Sequence, residues 1–371
     1  MKWQLLLGMF LSIKITTLVI VYLAFFLLPY CVPCHDGNFV YPKGEVIGPL
    51  VAYKTWDGQF YLYLAEKWYS QGHMGNAFRP LFPATIWVVA VILGGNYWLA
   101  GMILAQVYSV VAVWLFYLLV KRLFSLKVAG WSTVLLMTFP TAFYLHLVYS
   151  EALFLVLALG FFYGLYTKRF WLALVTGFLL PLSRDPGITL IVPLLLFLYT
   201  GSDSKFSARE RVMLVAGMVM GWLVYMLVMK HWTGQWSGMY LHKTQFVSRH
   251  SLANVLHPIR WLDLNFLSWK PTLHGFNTSI INRLFFGVFV GLFWWGRRRV
   301  DRVLLSYMVM TGWLPALSGF FMSYPRVLLV VFPMYVIAGS YLKEKTWWVV
   351  FPMILLQGLL LVIHVLNYWV A

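Results

Sequence analysis

The sequence predicts an all-α integral membrane protein, a polytopic helical bundle with about eleven transmembrane helices. Hydrophobic residues make up 61% of the 371 residues, and the mean hydropathy is +0.78. Long apolar runs recur along the whole chain, and basic clusters lie between them. Soluble domains contain only about half apolar residues, so residues 1–371 are interpreted as one transmembrane domain.

The predicted spans are apolar runs, most of them long enough to cross the ~30 Å hydrocarbon core of a bilayer. They lie at about 10–29, 97–120, 128–145, 151–167, 170–183, 187–199, 212–230, 280–296, 303–322, 327–342 and 346–369. The first run is not followed by an Ala-x-Ala cleavage pattern, so we expect an uncleaved helix.

Lys and Arg in short loops mark the cytoplasmic side of a membrane protein. With the N-terminus inside, five successive basic clusters fall on that side: 121–127, 168–169, 205–211, 297–302 and 343–345. The apolar stretch 80–93 is shorter than a span and has two prolines near its start, so we expect a juxtamembrane or re-entrant helix on the outer side. Two long outer loops remain, at about 30–96 and 231–279, where chemistry or recognition is expected.

The segment WDGQFYLYLAEKWY, from Trp56, places two acids among aromatic side chains in the first outer loop. Asp57 opens a predicted helix that Thr55 could cap. One face of this helix carries Asp57, Tyr61, Leu64, Ala65 and Trp68. The pattern indicates an amphipathic juxtamembrane helix, with Glu66 and Lys67 on its solvated face. Asp57 could complement the helix N-terminus or act as a general base.

Polar residues at other outer turns supply further candidates. Arg79, in NAFRPLFP, could bind a phosphate or snorkel to headgroups. In HLVYSEAL, Ser150 and Glu151 follow Tyr149. Helix capping would explain this turn, but its carboxylate could also hold a sugar hydroxyl or orient an arginine. Arg326, in FMSYPRVLL, could likewise bind an anion or snorkel.

The segment LPLSRDPGI is the sharpest interruption of the apolar sequence. Arg184 and Asp185 could pair with each other. Polar backbone in a membrane is tolerated mainly where it lines a cavity, however, so we favour a site here. The outer arginines together indicate an anionic ligand such as a phosphate or diphosphate headgroup.

The second outer loop and a cysteine motif complete the candidates. The loop contains His231, Gln235, His242, Lys243, Gln245, Arg249, His250 and His257. Its histidines lack regular metal-ligand spacing, so we expect no zinc site. CVPCH, from Cys31 to His35, matches a haem-attachment pattern, but a local disulfide or two free thiols are favoured over haem.

Five segments occur in an order that resembles the PIG-V-like mannosyltransferases, relatives of GPI mannosyltransferase II in the multi-span GT-C class. The segments are TWDGQFYLYLAEKWY, AFRPLFP, YSEALF, SRDPGI and SYPRVLLVVFP. The resemblance runs from about Trp56 to Pro333. It departs from the family pattern at Asp185 and Pro186, where the family has Ser-Asn, and at Arg79, where it tends to have Phe.

The resemblance implies an inverting glycosyltransferase that takes mannose from a polyprenyl-phosphate carrier. The acceptor would be a lipid-linked sugar or glycan on the extracytoplasmic face. Asp57 corresponds to the expected general base, and Arg184 to the arginine of the family's R-x-x-G segment. The Tyr-Ser-Glu turn maps onto 149–151, and the loop with Gln245 is similar to one near the acceptor.

In this interpretation Arg184, Arg79 and Arg326 stabilise the carrier phosphate. The substrate-binding candidates are Trp56, Tyr149, Ser150, Glu151, Asp185 and Gln245. No cofactor is indicated, although a divalent metal could assist, and the expected partners are donor, acceptor and membrane lipids rather than nucleic acid. A prokaryotic plasma membrane is favoured over the ER. The alternative function is a lipid or solute transporter or flippase, in which mid-span charges are common.

Overall fold

The computed structural model describes residues 2–42, 44–200, 206–236, 252–273, 275 and 278–370, and its regular structure is helical. Up to residue 236 the α-helices are α1 Trp3–Leu27, α2 Val32–Asn38, α3 Asp57–Lys67, α4 Leu81–Ile92, α5 Tyr97–Leu123, α6 Leu126–Thr138, α7 Glu151–Thr167, α8 Phe170–Ser183, α9 Ile191–Thr200 and α10 Ala208–Thr233. From residue 252 onward they are α11 Pro258–Leu262, α12 Ile280–Gly296, α13 Arg302–Met308, α14 Leu314–Leu317, α15 Tyr324–Leu329, α16 Pro333–Leu342 and α17 Thr346–Val365.

Shorter helical turns connect these elements. The 3₁₀ turns are Pro49–Tyr53, Met74–Ala77, Ala142–His146, Asp185–Leu190, Leu252–Leu256 and Lys343–Lys345, and the π-helical turns are Asp263–Leu267 and Val309–Trp313. One isolated β-bridge joins Thr272 and Ser279. The predicted all-α class is therefore confirmed for the described residues.

Within the described residues, four helical segments are long and apolar enough to cross a membrane: Trp3–Leu27, Tyr97–Leu123, Ala208–Thr233 and Pro333–Val365. Six further apolar helical segments are shorter: Leu81–Ile92, Leu126–Thr138, Glu151–Thr167, Phe170–Ser183, Asp185–Thr200 and Ile280–Gly296. Helices occupy every predicted run, but the count of about eleven spans is not established. Several runs are divided by the turns that prolines impose. These apolar helices are those of an integral membrane protein.

Local signals in the sequence set several helix ends. Ser207 and Glu210 form a reciprocal capping box at the start of α10, and Gly234 ends that helix in the left-handed conformation, with φ +74°. The Asp301 carboxylate accepts a hydrogen bond from the Leu304 amide at 2.8 Å and caps α13. These caps satisfy backbone groups that helices leave unpaired at their ends.

The prediction for the helix that contains Asp57, α3, requires a correction. α3 begins at Asp57, as predicted, but Trp56 rather than Thr55 occupies the N-cap position. Its buried residues are Gly58, Gln59, Phe60, Tyr61, Leu62, Leu64 and Ala65. The prediction of an amphipathic surface helix is therefore wrong for α3, because so many of its side chains pack inside the protein. Glu66 and Lys67 do lie exposed and pair at 2.8 Å.

Contacts within the chain group into two compact units. The first consists of Met1–Val32, Phe116–Phe143 and Ser248–Ala371, and the second of Pro33–Leu115 and Tyr144–Val247. In the first unit α1 packs on α17, α6 on α16, and α12 on α15 and α16. In the second unit α3 packs on α4, and α8 packs on both α7 and α10. The single domain over residues 1–371 stays a prediction.

Candidate functional site

The start of α3 holds Asp57 in a tightly constrained turn. Trp56, just before it, has φ +56° and ψ −119°, a region that non-glycine residues rarely adopt and that costs ~1–3 kcal/mol. A Cβ at Gly58 would lie 3.3 Å from the Val148 carbonyl oxygen and 3.4 Å from that of Tyr53. A larger residue at position 58 would require its neighbours to shift by a few tenths of an ångström, so glycine favours the close approach of α3 to the 148–149 segment. Asp57, the residue before this glycine, is half-buried.

The 148–150 segment is joined to the α3 region by hydrogen bonds. The Val148 amide donates to the Tyr53 carbonyl at 3.0 Å, and the Tyr149 hydroxyl donates to the Thr55 carbonyl at 2.9 Å. A 2.6 Å hydrogen bond joins the hydroxyls of Tyr61 and Ser150. Since Tyr61 follows Asp57 by one helical turn, these bonds place the predicted base next to the predicted Tyr-Ser-Glu turn.

Ser150 occupies the N-cap position of α7, as expected, but its side chain does not cap the helix. Its hydroxyl instead contacts Tyr61 and accepts a hydrogen bond from Nη1 of Arg184 at 3.3 Å. The capping interpretation of this serine is therefore wrong. Ser150 links α3 to the SRDPG turn.

Glu151 and Arg184 form the first of two ion pairs in this cluster. Nη1 of Arg184 lies 2.6 Å from Oε1 of Glu151. The Glu151 side chain is 0% exposed, whereas that of Arg184 is 20% exposed. Among the alternatives for Glu151, the geometry matches a carboxylate that orients an arginine.

Arg79 and Asp185 form the second pair, with the exposure reversed. Nε of Arg79 donates to Oδ1 of Asp185 at 3.1 Å, and the side chains are 5% and 37% exposed. The guanidinium also lies 3.7 Å from the ring centroid of Tyr225, a cation–π contact. Burial lowers the pKa of Arg79, although a guanidinium in a protein remains charged.

The SRDPG turn, which follows α8, contains one member of each ion pair, Arg184 and Asp185. The Gly187 amide donates to the Arg184 carbonyl at 2.9 Å, and a Cβ at Gly187 would lie 2.0 Å from the Leu180 carbonyl oxygen. Only glycine fits this turn without movement of the backbone. The alternative in which Arg184 and Asp185 pair with each other is wrong. Each is the more exposed member of a pair whose other member is buried.

Electrostatics connect Asp57 with the same cluster. Burial raises the pKa of Tyr61, the charge of Arg184 lowers it, and the charges of Glu151 and Asp57 raise it again. Three predicted site residues therefore act on a single buried hydroxyl. The cluster around Tyr61 thus contains a half-buried carboxylate, which can accept a proton, and a partly exposed guanidinium, which can bind an anion.

The remaining predicted residues lie elsewhere. Arg326 belongs to the first compact unit, where its amide donates to the Ser323 carbonyl at 2.9 Å in α15. Gln245 lies outside the described residues. Cys31 and Cys34 are disulfide-bonded, so neither thiol is available for haem attachment. Within the described part of the chain, no group of three or more His, Cys, Asp or Glu could hold a metal ion.

Two residues of the cluster were not predicted. Tyr61 lies on the predicted face of α3 but had no assigned role, and its spacing from Asp57 was the available signal. Tyr225 lies within the long apolar run of α10. A single tyrosine in an apolar span gives no indication that an arginine more than a hundred residues away in the chain will stack on it.

No family model matches this sequence, and no curated protein matches it. Solved structures do match the fold. ArnT from Cupriavidus metallidurans bound to undecaprenyl phosphate superposes with a TM-score of 0.53 at 13% identity, over 92% of this chain and 62% of that one. The archaeal oligosaccharyltransferase AglB from Archaeoglobus fulgidus, in complex with an inhibitory peptide and a dolichol-phosphate, gives 0.50 at 11% identity, over 98% and 56%.

These structures define the class of fold. This chain shares its fold with ArnT and with the oligosaccharyltransferase AglB. The chain spans about three fifths of the length of each of these structures.

Proposed function

We propose that this protein is an inverting membrane glycosyltransferase that transfers mannose from a polyprenyl-phosphate carrier to a lipid-linked or glycan acceptor. The observation that carries the proposal is the paired arrangement at the SRDPG turn. A partly exposed arginine, oriented by a fully buried glutamate, lies in the same cluster as the carboxylate of Asp57. The GT-C fold supports this reading.

In the proposed reaction Asp57 accepts the proton of an acceptor hydroxyl. The acceptor oxygen forms a bond to the anomeric carbon as the bond from that carbon to the carrier phosphate breaks. The phosphate leaves with the electron pair, and Arg184 stabilises its negative charge. A single displacement inverts the anomeric configuration. Because phosphate is a good leaving group, the reaction needs no general acid.

The other cluster residues take supporting roles in this proposal. Asp185, the exposed member of its pair, would bind a sugar hydroxyl, and Arg79 would hold Asp185 in place. Tyr149 and Ser150 would position the α3 turn and Arg184, and Trp56 would contact the sugar. Arg326 and Gln245 remain candidates for the carrier phosphate and the acceptor.

The carrier and the membrane face are also part of the proposal. The ArnT structure contains undecaprenyl phosphate and the AglB structure contains a dolichol-phosphate, which supports a polyprenyl-phosphate carrier here. The basic clusters in the predicted inner loops favour a site on the extracytoplasmic face. The compact loops favour the plasma membrane of a prokaryote over the ER.

The experiment is a donor-consumption assay in proteoliposomes that contain the purified protein, polyprenyl-phosphate mannose labelled in the sugar, and native membrane lipids as acceptors. The proposal predicts free polyprenyl phosphate and a mannosylated product. A transporter would instead move the donor across the bilayer intact, which a membrane-impermeant periodate treatment would detect. A parallel panel of glucose and galactose donors tests the sugar, since consumption of another donor alone would reject mannose and keep the transferase.

A further inference from the structure

The first turn of α12 contains a buried arginine, Arg283, that forms no ion pair with an acid of the described residues. The Arg283 side chain donates from Nε to the Asn265 carbonyl and from Nη1 to the Ser279 carbonyl, both at 3.0 Å. The residue is 8% exposed, and Nη2 is buried with no hydrogen-bond partner in the described part of the chain. A cation in this first turn also faces the positive end of the helix dipole. Both features are unfavourable unless an anion binds there.

The acids of the first compact unit have other partners. The unit contains three: Asp263, which accepts from Ser268 at 2.6 Å, Asp301, which caps α13, and Glu344, whose carboxylate lies 3.9 Å from Lys127. Residues 237–251 contain no Asp or Glu, so that segment cannot supply a carboxylate. The ion pairs of the described residues do not include Arg283.

A rigid frame surrounds the guanidinium. Its carbon lies 4.5 Å from the ring centroid of Trp269 and 5.5 Å from that of Phe321. The Trp269 indole donates to the Thr278 carbonyl at 2.6 Å, and the Phe321 amide donates to Oδ1 of Asn265 at 2.9 Å. The arginine is therefore held in one orientation before any ligand arrives, which lowers the entropy cost of binding.

We propose that Arg283 and the N-terminal turn of α12 form a binding site for a phosphate group, with Trp269 as its aromatic wall. A planar guanidinium at a helix N-terminus suits the oxygens of a phosphate. No side chain caps this helix and its first turn contains no acid, which suits an anion. The Ile280 amide donates to the Thr272 carbonyl at 2.9 Å, so an anion would bind to Arg283 and to the amides that follow Ile280. The phosphate belongs either to a lipid headgroup or carrier or to a free phosphate ion. This site goes beyond the proposed function, because none of its residues belongs to the Asp57 cluster.

The test uses the full-length protein in detergent and three probes: inorganic phosphate, farnesyl phosphate and uncharged farnesol. Affinity is measured by calorimetry for the wild type, Arg283→Gln and Arg283→Lys. The matched control is Lys270→Gln, which removes one exposed charge from the neighbouring segment. We expect Arg283→Gln to weaken phosphate binding at least tenfold, Arg283→Lys to weaken it less, and Lys270→Gln to leave it unchanged.

The outcomes separate the sources of the phosphate. Binding of farnesyl phosphate alone identifies a lipid phosphate, and equal binding of inorganic phosphate identifies a site for the ion itself. Equal affinity in wild type and Arg283→Gln, or no binding of either phosphate to the folded wild type, would overturn the proposal. If Arg283→Gln does not fold, a photoactivatable farnesyl phosphate is crosslinked to the wild type. Labelling of the peptides with Trp269 or Arg283 supports the site, and labelling only elsewhere rejects it. Neither readout depends on sugar transfer, so failure here leaves the proposed function intact.

Discussion

The two ion pairs of the second unit are built in opposite ways. In the Glu151–Arg184 pair the acid is fully buried and the arginine partly exposed, whereas in the Arg79–Asp185 pair the arginine is buried and the acid is exposed. The exposed members are adjacent in the chain, and their buried partners come from two other segments. The difference teaches that the SRDPG turn carries one cation and one anion on its more exposed side, each oriented by a buried counter-charge.

The largest loss of stability is expected when the buried Glu151 loses its arginine partner. Arg184→Gln leaves Glu151 charged at 0% exposure, and breaking a buried pair costs about 3–5 kcal/mol. Glu151→Gln should cost less, because Arg184 can turn toward water. Chemical denaturation in detergent measures both, with Arg169→Gln, an exposed arginine at the opposite end of α8, as a control.

The double variant sharpens this prediction. Replacing both members of a buried pair is often nearly neutral for stability. Arg184→Gln with Glu151→Gln should therefore recover most of the lost stability but none of the sugar transfer, since the anion-binding group is gone. A double variant that is as unstable as Arg184→Gln would show that Glu151 is not the stranded charge.

A smaller effect is expected at the second pair. Asp185→Asn leaves the buried Arg79 without its carboxylate, at a cost of about 1–3 kcal/mol for a buried group that loses its partner. The cost should stay below that of Arg184→Gln, because the Tyr225 ring still faces the guanidinium. Equilibrium unfolding of the two variants side by side checks the order. A larger loss of stability for Asp185→Asn than for Arg184→Gln would contradict this prediction.

The smallest effect is expected at the aromatic partner. Tyr225→Leu removes the cation–π contact with Arg79; such contacts are worth ~0.5–2 kcal/mol. Tyr225→Phe keeps the ring and should retain most of that stability. Thermal unfolding of both variants separates the ring from the hydroxyl, and equal losses would assign the effect to the hydroxyl instead.

The sequence predicted helix positions well and side-chain partners poorly. The limits of α7, α8 and α12 coincide with apolar runs, because hydropathy is a local property that a turn or a charge interrupts. The pairing of Arg184 with Glu151 depends on how α7 and α8 pack, which no local pattern contains. The burial of α3 could not be predicted for the same reason. Its polar residues are typical of a surface helix, but tertiary packing buries most of its side chains.

The central claim is that Asp57 is the general base of sugar transfer, and a comparison of Asp57→Asn with wild type tests it most directly. Transfer from polyprenyl-phosphate mannose is measured at matched expression, with Glu66→Gln, an exposed acid on the same helix, as the control. We predict that Asp57→Asn is folded and at least about a hundredfold slower, while Glu66→Gln keeps wild-type activity. Equal activity of wild type and folded Asp57→Asn would contradict the account and make Asp57 a structural residue at the start of α3.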